Sequence, residues 1–376
     1  MPAKVLVLGA GFGGLELTSR LSSELGDDVD VTLIDQSDSF VFGFAKLDVL
    51  FGLRSPQDVR SYYRDIAKPG VTFRQETITA IDPTTRQVRT NRGEYDADVL
   101  VVALGADLDP AATPGIDQGF GHEFYSVAGA EKARKVVAEF DGGDVVIGIL
   151  GPSFKCPPAP FETAFMLDQV LRERGRRERS TIRVVSPLPA PIPVSKDASA
   201  GVRAGCEQHG VEFVKETMVT SLDGRTATAH NGATFDYDLF LAIPRHCAPQ
   251  VVVDGGLTEE DGWIAVDAGT LETKFPGVYA VGDVTSMPVP RAGVFAEGEA
   301  AVVAQRIIAY VRGESTDARY GGTASCYLEW GDGTAARVDL DFFGGPAPTG
   351  RFQEPSAAIH AEKDEFGADR RRRWFG

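Results

Sequence analysis

A glycine-rich turn near the N-terminus constrains the fold of this chain more than any other feature. The apolar run 4–8 leads into the motif GAGFGG at residues 9–14, and leucines at helical spacing follow it. This order predicts a strand, a tight turn and a helix, the start of a dinucleotide-binding unit. Without side chains at Gly9 and Gly11 the backbone can approach a pyrophosphate, which the N-terminus of the helix attracts. Gly14 lets the helix pack closely on the strand.

A carboxylate follows at the position where such a unit contacts a ribose. The apolar run 29–34 ends at Asp35. That aspartate lies about 20 residues past Gly14, where a carboxylate can accept hydrogen bonds from both ribose hydroxyls of an adenosine. FAD and NAD share this fingerprint, so it predicts a dinucleotide without choosing between them.

Two later segments favour FAD as the bound cofactor. The apolar run 95–102 closes on Ala103 and Gly105, and a second apolar strand ends in Gly282-Asp283. These segments resemble the two-dinucleotide-domain flavoproteins. In that superfamily the aspartate at the position of Asp283 reaches the ribityl and pyrophosphate region of FAD. The resemblance implies that all four residues contribute to an FAD site.

The positions of these segments predict how the chain is divided. Residues 1–110 and 267–312 form a split FAD-binding domain, and residues 111–266 form a second nucleotide-type domain inserted into it. Residues 313–376, with alternating apolar patterns and then a charged helix, form a small C-terminal α+β interface domain. The fold class is therefore α/β, with two Rossmann-like dinucleotide-binding domains as in glutathione reductase.

The glycine turn of the inserted domain departs from a nicotinamide site. A strand over residues 145–150 leads into GPSFKCPPAPFE at residues 151–162, which contains four prolines. Proline has no backbone N–H to offer a phosphate. NAD binding is predicted to be lost or badly weakened, and Cys156 in this turn indicates a different reductant.

At this point the chain resembles the sulfide:quinone oxidoreductases and the flavoprotein subunit of flavocytochrome c sulfide dehydrogenase. The segments that carry the resemblance are residues 154–158, residues 256–263, the Gly-Asp strand and residues 325–327. The resemblance implies that Cys156 and Cys326 lie beside the flavin and form a disulfide or polysulfide bridge. It further implies that they pass electrons from sulfide to FAD, and that a quinone or another acceptor reoxidises the flavin.

The chemistry of sulfur is consistent with these roles, because a thiolate is the species that attacks a disulfide. Lys155 is predicted to help keep Cys156 charged. The resemblance gives Glu162 a role in proton transfer, with a carboxylate that stabilises a helix N-terminus as the alternative. For Cys156 and Cys326 the alternative is a pair of buried structural thiols.

Other family features are missing from this chain. The loop at residues 40–44 has no cysteine for covalent attachment, so FAD is expected to be non-covalent. No third essential cysteine and no catalytic histidine is identified. Cys206 and Cys247 have no motif around them and are predicted to fill space in the core or at the surface without a chemical role. A catalytic role for His246 is the less favoured interpretation. No metal site is predicted, since the four cysteines lack CxxC spacing.

Charge and hydropathy limit the partners. The formal net charge is −16, which argues against nucleic acid and against broad attraction to anionic lipid. Residues 370–375, four arginines followed by Trp and Phe, are the local exception. They are either a solvated terminal charge run or a contact with a membrane or partner. The chain is expected to be cytoplasmic, and either free or peripheral on the inner face of the membrane, with a homodimer as a further possibility.

Three functions remain compatible with the sequence. The favoured one is a flavoenzyme that oxidises sulfide through Cys156 and Cys326 and passes electrons to a quinone or another acceptor. The second is an NAD(P)H-dependent flavin oxidoreductase of the type II NADH dehydrogenase or disulfide reductase kind. The third is a non-catalytic redox sensor that uses the cysteine pair as a switch.

Overall fold

The computed structural model describes residues 2–376. Eight α-helices lie within this part of the chain: α1 (Phe12–Leu25), α2 (Ala45–Leu50), α3 (Val127–Glu139), α4 (Ala159–Glu173), α5 (Lys196–Gln208), α6 (Gln250–Asp254), α7 (Gly293–Arg312) and α8 (Ala357–Phe375).

The strands of residues 2–376 fall into two groups along the chain. Those before α4 are β1 (Ala3–Leu8), β2 (Val29–Asp35), β3 (Ser39–Val41), β4 (Arg60–Tyr62), β5 (Val71–Gln75), β6 (Ile78–Asp82), β7 (Gln87–Thr90), β8 (Glu94–Asp96), β9 (Val99–Val102), β10 (Asp107–Asp109), β11 (His122–Glu123) and β12 (Gly143–Ile149). Those after α4 are β13 (Ser180–Val185), β14 (Val211–Val214), β15 (Val219–Asp223), β16 (Thr226–Ala229), β17 (Thr234–Asp236), β18 (Leu239–Ile243), β19 (Arg245–Cys247), β20 (Val278–Ala280), β21 (Thr323–Gly331), β22 (Thr334–Asp341) and β23 (Thr349–Ser356).

The first large sheet contains the N-terminal fingerprint. Its five strands pair in the order β20-β9-β1-β2-β5, and all of the pairings are parallel. Parallel sheets have both faces covered, so their strands are apolar throughout. All four residues of β9 are buried, as are the last four of β1. The sheet therefore draws its strands from two distant stretches of chain.

The second large sheet lies wholly within the stretch predicted as the inserted domain. It pairs in the order β11-β18-β12-β13-β14, again with parallel pairings throughout. The two sheets, each with helical crossovers, confirm the predicted α/β class with two Rossmann-like units. The exact domain boundaries stay a prediction.

Three further elements bring the ends of the chain to the site. The antiparallel strands β21, β22 and β23 form a separate sheet, and α4 of the second unit packs against β21. Helix α8 packs on β22 and also reaches α1, while α7 lies along α1. The side chain of Ser356 caps α8 by accepting the N–H of Ile359 at 3.2 Å. These contacts hold β21, and with it Cys326, between the two units.

The C-terminal basic cluster is partly packed against the rest of the protein. Trp374 is fully buried, and its indole N–H donates to the Glu16 carboxylate at 2.8 Å. The guanidinium of Arg373 lies 2.7 Å from Glu16, and that of Arg370 lies 3.0 Å from Glu297. The prediction that Trp374 serves as an interfacial aromatic is wrong, because buried carboxylates on α1 and α7 face this terminus, a tertiary contact that the sequence did not show. Arg372 stays exposed, and contact of this terminus with a membrane or partner stays a prediction.

Hydropathy of the helices adds one observation. Among residues 2–376, no helix is both long enough and apolar enough to span a membrane.

Candidate active site

The N-terminal glycine turn has the geometry that its sequence predicts. The N–H of Gly9 donates to the carbonyl of Ile34 at 2.8 Å, so the turn is joined to the end of β2. Asp35 accepts the N–H of Ala10 at 2.8 Å, and the hydroxyl of Tyr63 donates to the carbonyl of Ala10 at 2.7 Å. Asp35 therefore stands beside the turn, as a ribose-binding carboxylate requires.

Two glycines of the turn lie in close backbone contacts, and the third, Gly11, faces open space. Gly9 has φ +97°, and a Cβ built on it would lie 2.8 Å from the carbonyl carbon of Ala103. A Cβ on Gly14 would lie 3.0 Å from the carbonyl carbon of Gly9 and would overlap its oxygen. A Cβ on Gly11 would meet no heavy atom within 4 Å, and no side chain caps α1 at this residue. The space and the free N–H groups of the first helical turn fit the pyrophosphate of FAD.

The other predicted cofactor residues lie at the same edge of the first sheet. Ala103 and Gly105 follow β9, and Gly282 and Asp283 follow β20, the strand hydrogen-bonded to β9. Burial raises the pKa of the Asp283 carboxyl, and the positive charges of Lys155, Arg291 and Lys46 oppose that rise. The carboxyl ends of neighbouring parallel strands thus converge where this fold binds a dinucleotide.

In the second unit, the start of helix α4 has no free backbone donors of this kind. At the start of α4 the N–H of Ala159 donates to the carbonyl of Cys156 at 2.9 Å, and the N–H of Phe161 donates to the carbonyl of Pro158 at 2.9 Å. Pro160 has no N–H. Gly151 is closed off as well, because a Cβ there would lie 3.0 Å from the side chain of Arg245. The helix start therefore offers a pyrophosphate none of its backbone N–H groups.

Cys156 lies in this filled turn in an unusual backbone conformation. Its φ of +54° is in the left-handed region, which costs a residue other than glycine about 1–3 kcal/mol. The conformation is held from both sides, since the N–H of Cys156 donates to the carbonyl of Arg291 at 2.7 Å and its carbonyl accepts from Ala159. Such strain is typical of functional sites.

Arg291 joins the cysteine turn to the Gly-Asp loop. Its guanidinium donates to the carbonyl of Asp283 at 3.0 Å and to the hydroxyl of Ser153, and it lies 3.7 Å from the centroid of the Trp263 ring. Because its own carbonyl accepts the N–H of Cys156, one residue connects the predicted flavin site with the predicted sulfur site.

Glu162 connects Cys156 with the strand that carries Cys326. One carboxylate oxygen of Glu162 lies 4.0 Å from the Cys156 sulfur, and the other accepts the backbone N–H of Glu329 on β21 at 2.9 Å. Cys326 lies three residues earlier on that strand. Glu329 itself pairs with the buried amine of Lys363 on α8. Cysteines 170 residues apart are thus brought to one carboxyl group.

Burial raises the pKa values of Cys156, Cys326 and Glu162, and negative charge adds to the rise at the two cysteines. Burial raises the pKa of Cys156 well above its ordinary value, and negative charge on Glu162 and Cys326 adds to the rise. Burial and Glu162 raise the pKa of Cys326 to about 12. Burial raises the pKa of Glu162 to about 7. Both thiols are free in the structure, and such a pair retains its protons at neutral pH.

A lysine that was not predicted, Lys46, acts on the pKa of Cys156. The amine of Lys155 donates to the carbonyl of Ala106 at 3.0 Å, and Lys46 on α2 is the lysine whose charge lowers the pKa of Cys156. The Lys155 amine is thus engaged by the main chain, and its predicted effect on Cys156 stays a prediction. Burial and the charge of Lys155 in turn lower the pKa of Lys46 to about 8.

The other two cysteines and His246 have structural surroundings of their own. Cys206 is buried on α5, and Cys247 lies on β19 opposite Asp107. His246 is buried and its Nε2 accepts the backbone N–H of Lys155 at 3.4 Å, while Nδ1 lies 2.9 Å from the carbonyl of Pro244. Burial lowers the pKa of His246 to about 3. It supports the cysteine turn as a neutral imidazole.

Sequence reasoning missed Lys46, Arg291 and Glu299. Glu299 on α7 accepts the N–H of Gly282 at 2.6 Å, and burial raises its pKa to about 8. The stretch 292–301 is rich in alanine and glycine, and a carboxylate within it was the available signal for Glu299. Lys46 and Arg291 have no local pattern, since only tertiary contacts give them their neighbours.

The raised pKa of Glu162 predicts a pH-dependent cost to stability. A carboxyl with a higher pKa in the folded state binds more protons there, so the free energy of unfolding falls as the pH rises from about 4.5 to about 7. The full cost is about 3 kcal/mol, at about 1.4 kcal/mol per pKa unit. Glu162→Gln keeps an oxygen for the Glu329 N–H and cannot ionise. We expect its melting temperature to exceed that of the wild type by about 5 °C at pH 8 and to equal it at pH 5.

The control for this prediction is Glu173→Gln, an exposed glutamate on the same helix. Differential scanning calorimetry of both variants across this pH range measures the effect. A Glu162→Gln advantage that is the same at every pH would contradict the assigned ionisation.

Comparison with known proteins agrees with this geometry. A family model for pyridine nucleotide-disulphide oxidoreductases matches residues 3–306. The mitochondrial sulfide:quinone oxidoreductase of Mus musculus is 24% identical over 95% of this chain and 82% of its own length. A type II NADH:quinone oxidoreductase of Staphylococcus aureus is 25% identical over 84% of each chain. The crystal structure of the sulfide:quinone oxidoreductase from Aquifex aeolicus superposes with a TM-score of 0.87 at 22% identity, over 97% of this chain and 89% of that chain.

The crystallographic likeness shows the fold, and the family match covers most of the chain. Both agree with two Rossmann-like units and with a glycine turn that fits FAD. The chain therefore belongs to the pyridine nucleotide-disulphide oxidoreductase family and is an FAD-binding oxidoreductase.

Proposed function

We propose that the protein oxidises sulfide, or a related sulfur species, through Cys156 and Cys326 and passes the electrons through FAD to a quinone or another acceptor. The observation that carries the proposal is Glu162, whose carboxyl group adjoins the Cys156 sulfur and the strand of Cys326. The hydrogen bond from Cys156 to Arg291 ties the same centre to the Gly-Asp loop.

The reaction begins with the two cysteines joined as a disulfide. Hydrosulfide attacks one sulfur, the S–S bond breaks, and the products are a persulfide on that cysteine and a thiolate on the other. Glu162, with a pKa of about 7, can hold a proton near neutral pH and give it to the thiolate that leaves. A second hydrosulfide takes the outer sulfur of the persulfide and leaves as hydrogen disulfide, so both cysteines become thiols. Their reoxidation to the disulfide releases two electrons, for which bound FAD would supply the sink before the acceptor takes them.

The high thiol pKa values suit this order of events. A protonated thiol is a poor nucleophile, so the reduced pair does not attack other disulfides readily. Hydrosulfide brings its own negative charge to the bridge. The oxidised pair is therefore the form in which the site accepts substrate.

The alternative donor is a reduced nicotinamide, as in the type II NADH:quinone oxidoreductase among the relatives. The filled turn at the start of α4 argues against it, because Pro160 has no N–H and the neighbouring N–H groups are bonded to carbonyls. A redox sensor without turnover would use the same cysteines and would have no external acceptor.

The names of both relatives include a quinone, which supports a quinone as the acceptor. The test is steady-state turnover of the purified FAD-loaded protein with sulfide as donor and decylubiquinone as acceptor, followed by the loss of quinone absorbance. We expect sulfide-dependent quinone reduction. Flavin that sulfide reduces but decylubiquinone does not reoxidise would exclude the quinone and leave another acceptor. A homodimer, cytoplasmic location and peripheral membrane contact stay predictions.

A further inference from the structure

Tyr125 packs against a residue that supports the cysteine turn. It follows β11, and its backbone N–H donates to the Glu123 carboxylate at 2.8 Å. Its ring packs edge-to-face on His246 with centroids 5.5 Å apart. His246 in turn accepts the N–H of Lys155, the residue next to Cys156. A chain of contacts thus fixes the ring relative to the cysteine turn.

The hydroxyl of Tyr125 has no hydrogen-bond partner. The side chain is 8% exposed, and its oxygen is buried among the described residues without a donor or acceptor in reach. Buried polar groups are nearly always paired, and an unpaired one in a native structure calls for a ligand or a functional reason. A phenylalanine would fill the same space without this penalty.

The surroundings identify what the hydroxyl can bind. Burial raises the pKa of Tyr125 well above its ordinary value, and negative charge on Cys156 and Glu162 adds to the rise, so the hydroxyl keeps its proton. It can therefore donate to an anion. It does not bond to the Cys156 sulfur, so its donor stays available to a bound anion.

We propose that Tyr125 donates a hydrogen bond to the anionic sulfur that attacks or is carried by Cys156, as hydrosulfide or as the outer sulfur of a persulfide. The inference rests on the proposed function and adds a residue to it. Lys46 supplies the positive charge of the same site, and Tyr125 supplies a neutral donor that a desolvated anion needs. Glu162 and Cys326 are the groups that oppose negative charge there.

The test compares Tyr125→Phe with the wild type as FAD-loaded proteins. Anaerobic stopped-flow mixing with hydrosulfide at several concentrations gives the apparent dissociation constant and the limiting rate of flavin reduction. A charge-assisted hydrogen bond predicts about tenfold weaker apparent binding of hydrosulfide in the variant. The melting temperature should not fall, because the lost hydroxyl is unpaired in the free protein.

Tyr320→Phe is the matched control. Its hydroxyl is also buried and unpaired, but it adjoins Glu299 and Cys326 rather than Cys156. We expect the apparent dissociation constant for hydrosulfide to stay within about twofold of the wild type in this control, a difference too small to represent a lost charge-assisted bond. Equal weakening in both variants would contradict a specific role for Tyr125.

The other outcomes are distinct. If the wild type is reduced by hydrosulfide and Tyr125→Phe shows the same concentration dependence, the inference fails and the proposed function stands. If the variant instead alters the flavin spectrum or the retention of FAD alone, the hydroxyl faces the flavin and the inference is overturned. If hydrosulfide does not reduce the wild type, the proposed function itself is contradicted and the inference falls with it.

Discussion

Cys156→Ser is expected to slow the reduction of the flavin by sulfide by about a thousandfold or more. A serine hydroxyl cannot form the bridge to Cys326, and it cannot carry a persulfide. The backbone bonds that hold the turn, from the residue's N–H to Arg291 and from Ala159 to its carbonyl, do not involve the side chain. The variant should therefore fold and bind FAD normally. Stopped-flow absorbance of the flavin under anaerobic conditions measures the rate.

Cys247→Ser is the matched control for this result. Cys247 is half-buried on β19, where its sulfur lies 4.0 Å from the carbonyl of Asp107. Its replacement should leave the rate of flavin reduction within about twofold of the wild type, as expected for a residue outside the redox pair. A Cys156→Ser protein that sulfide reduces at the wild-type rate would show that electrons reach the flavin without the cysteine pair.

Gly14→Ala is expected to remove FAD from the purified protein and to lower its stability by about 3 kcal/mol or more. The new methyl group would overlap the Gly9 carbonyl oxygen and lie 3.5 Å from the Leu33 side chain, so α1 cannot stay against β1. The pyrophosphate-binding turn and the helix would move apart together. The ratio of flavin to protein absorbance and the melting temperature report the two effects.

Gly11→Ala separates cofactor binding from packing. A Cβ at Gly11 meets no atom of the protein, so the melting temperature of the FAD-free protein should be unchanged. The same Cβ occupies the space into which the pyrophosphate fits, so FAD retention should fall. Full FAD content in both variants would contradict the placement of the cofactor on this turn.

The parts of the site that follow local rules could be predicted from the sequence. The β1 turn, Asp35 and the Gly-Asp strand depend on glycine geometry and on the position of strand ends, which a short stretch of sequence shows. The filled turn around Cys156 is visible in the same way, since a proline lacks its N–H wherever it lies. The pairing of Cys156 with Cys326 rested on resemblance, and the structure brings Glu162 between their elements.

The parts that depend on tertiary packing could not be predicted. Trp374 was expected at a surface, but Phe12, Phe40 and Phe42 enclose it with ring centroids 5.4–5.8 Å away. Lys46 on α2 lowers the pKa of Cys156, although 110 residues separate the two in the sequence. No spacing in the sequence records that two distant elements will face each other.

The measurement that tests the central claim most directly is an anaerobic titration of the FAD-loaded wild-type protein, with sulfide in one experiment and NADH in another. The absorbance of the flavin reports reduction in both. We expect sulfide to bleach the flavin and NADH to leave it oxidised, because the proposed donor route runs through the cysteine centre and the helix start of the second unit offers a pyrophosphate no free N–H. Bleaching by NADH without bleaching by sulfide would contradict the proposal and identify a nicotinamide-dependent enzyme.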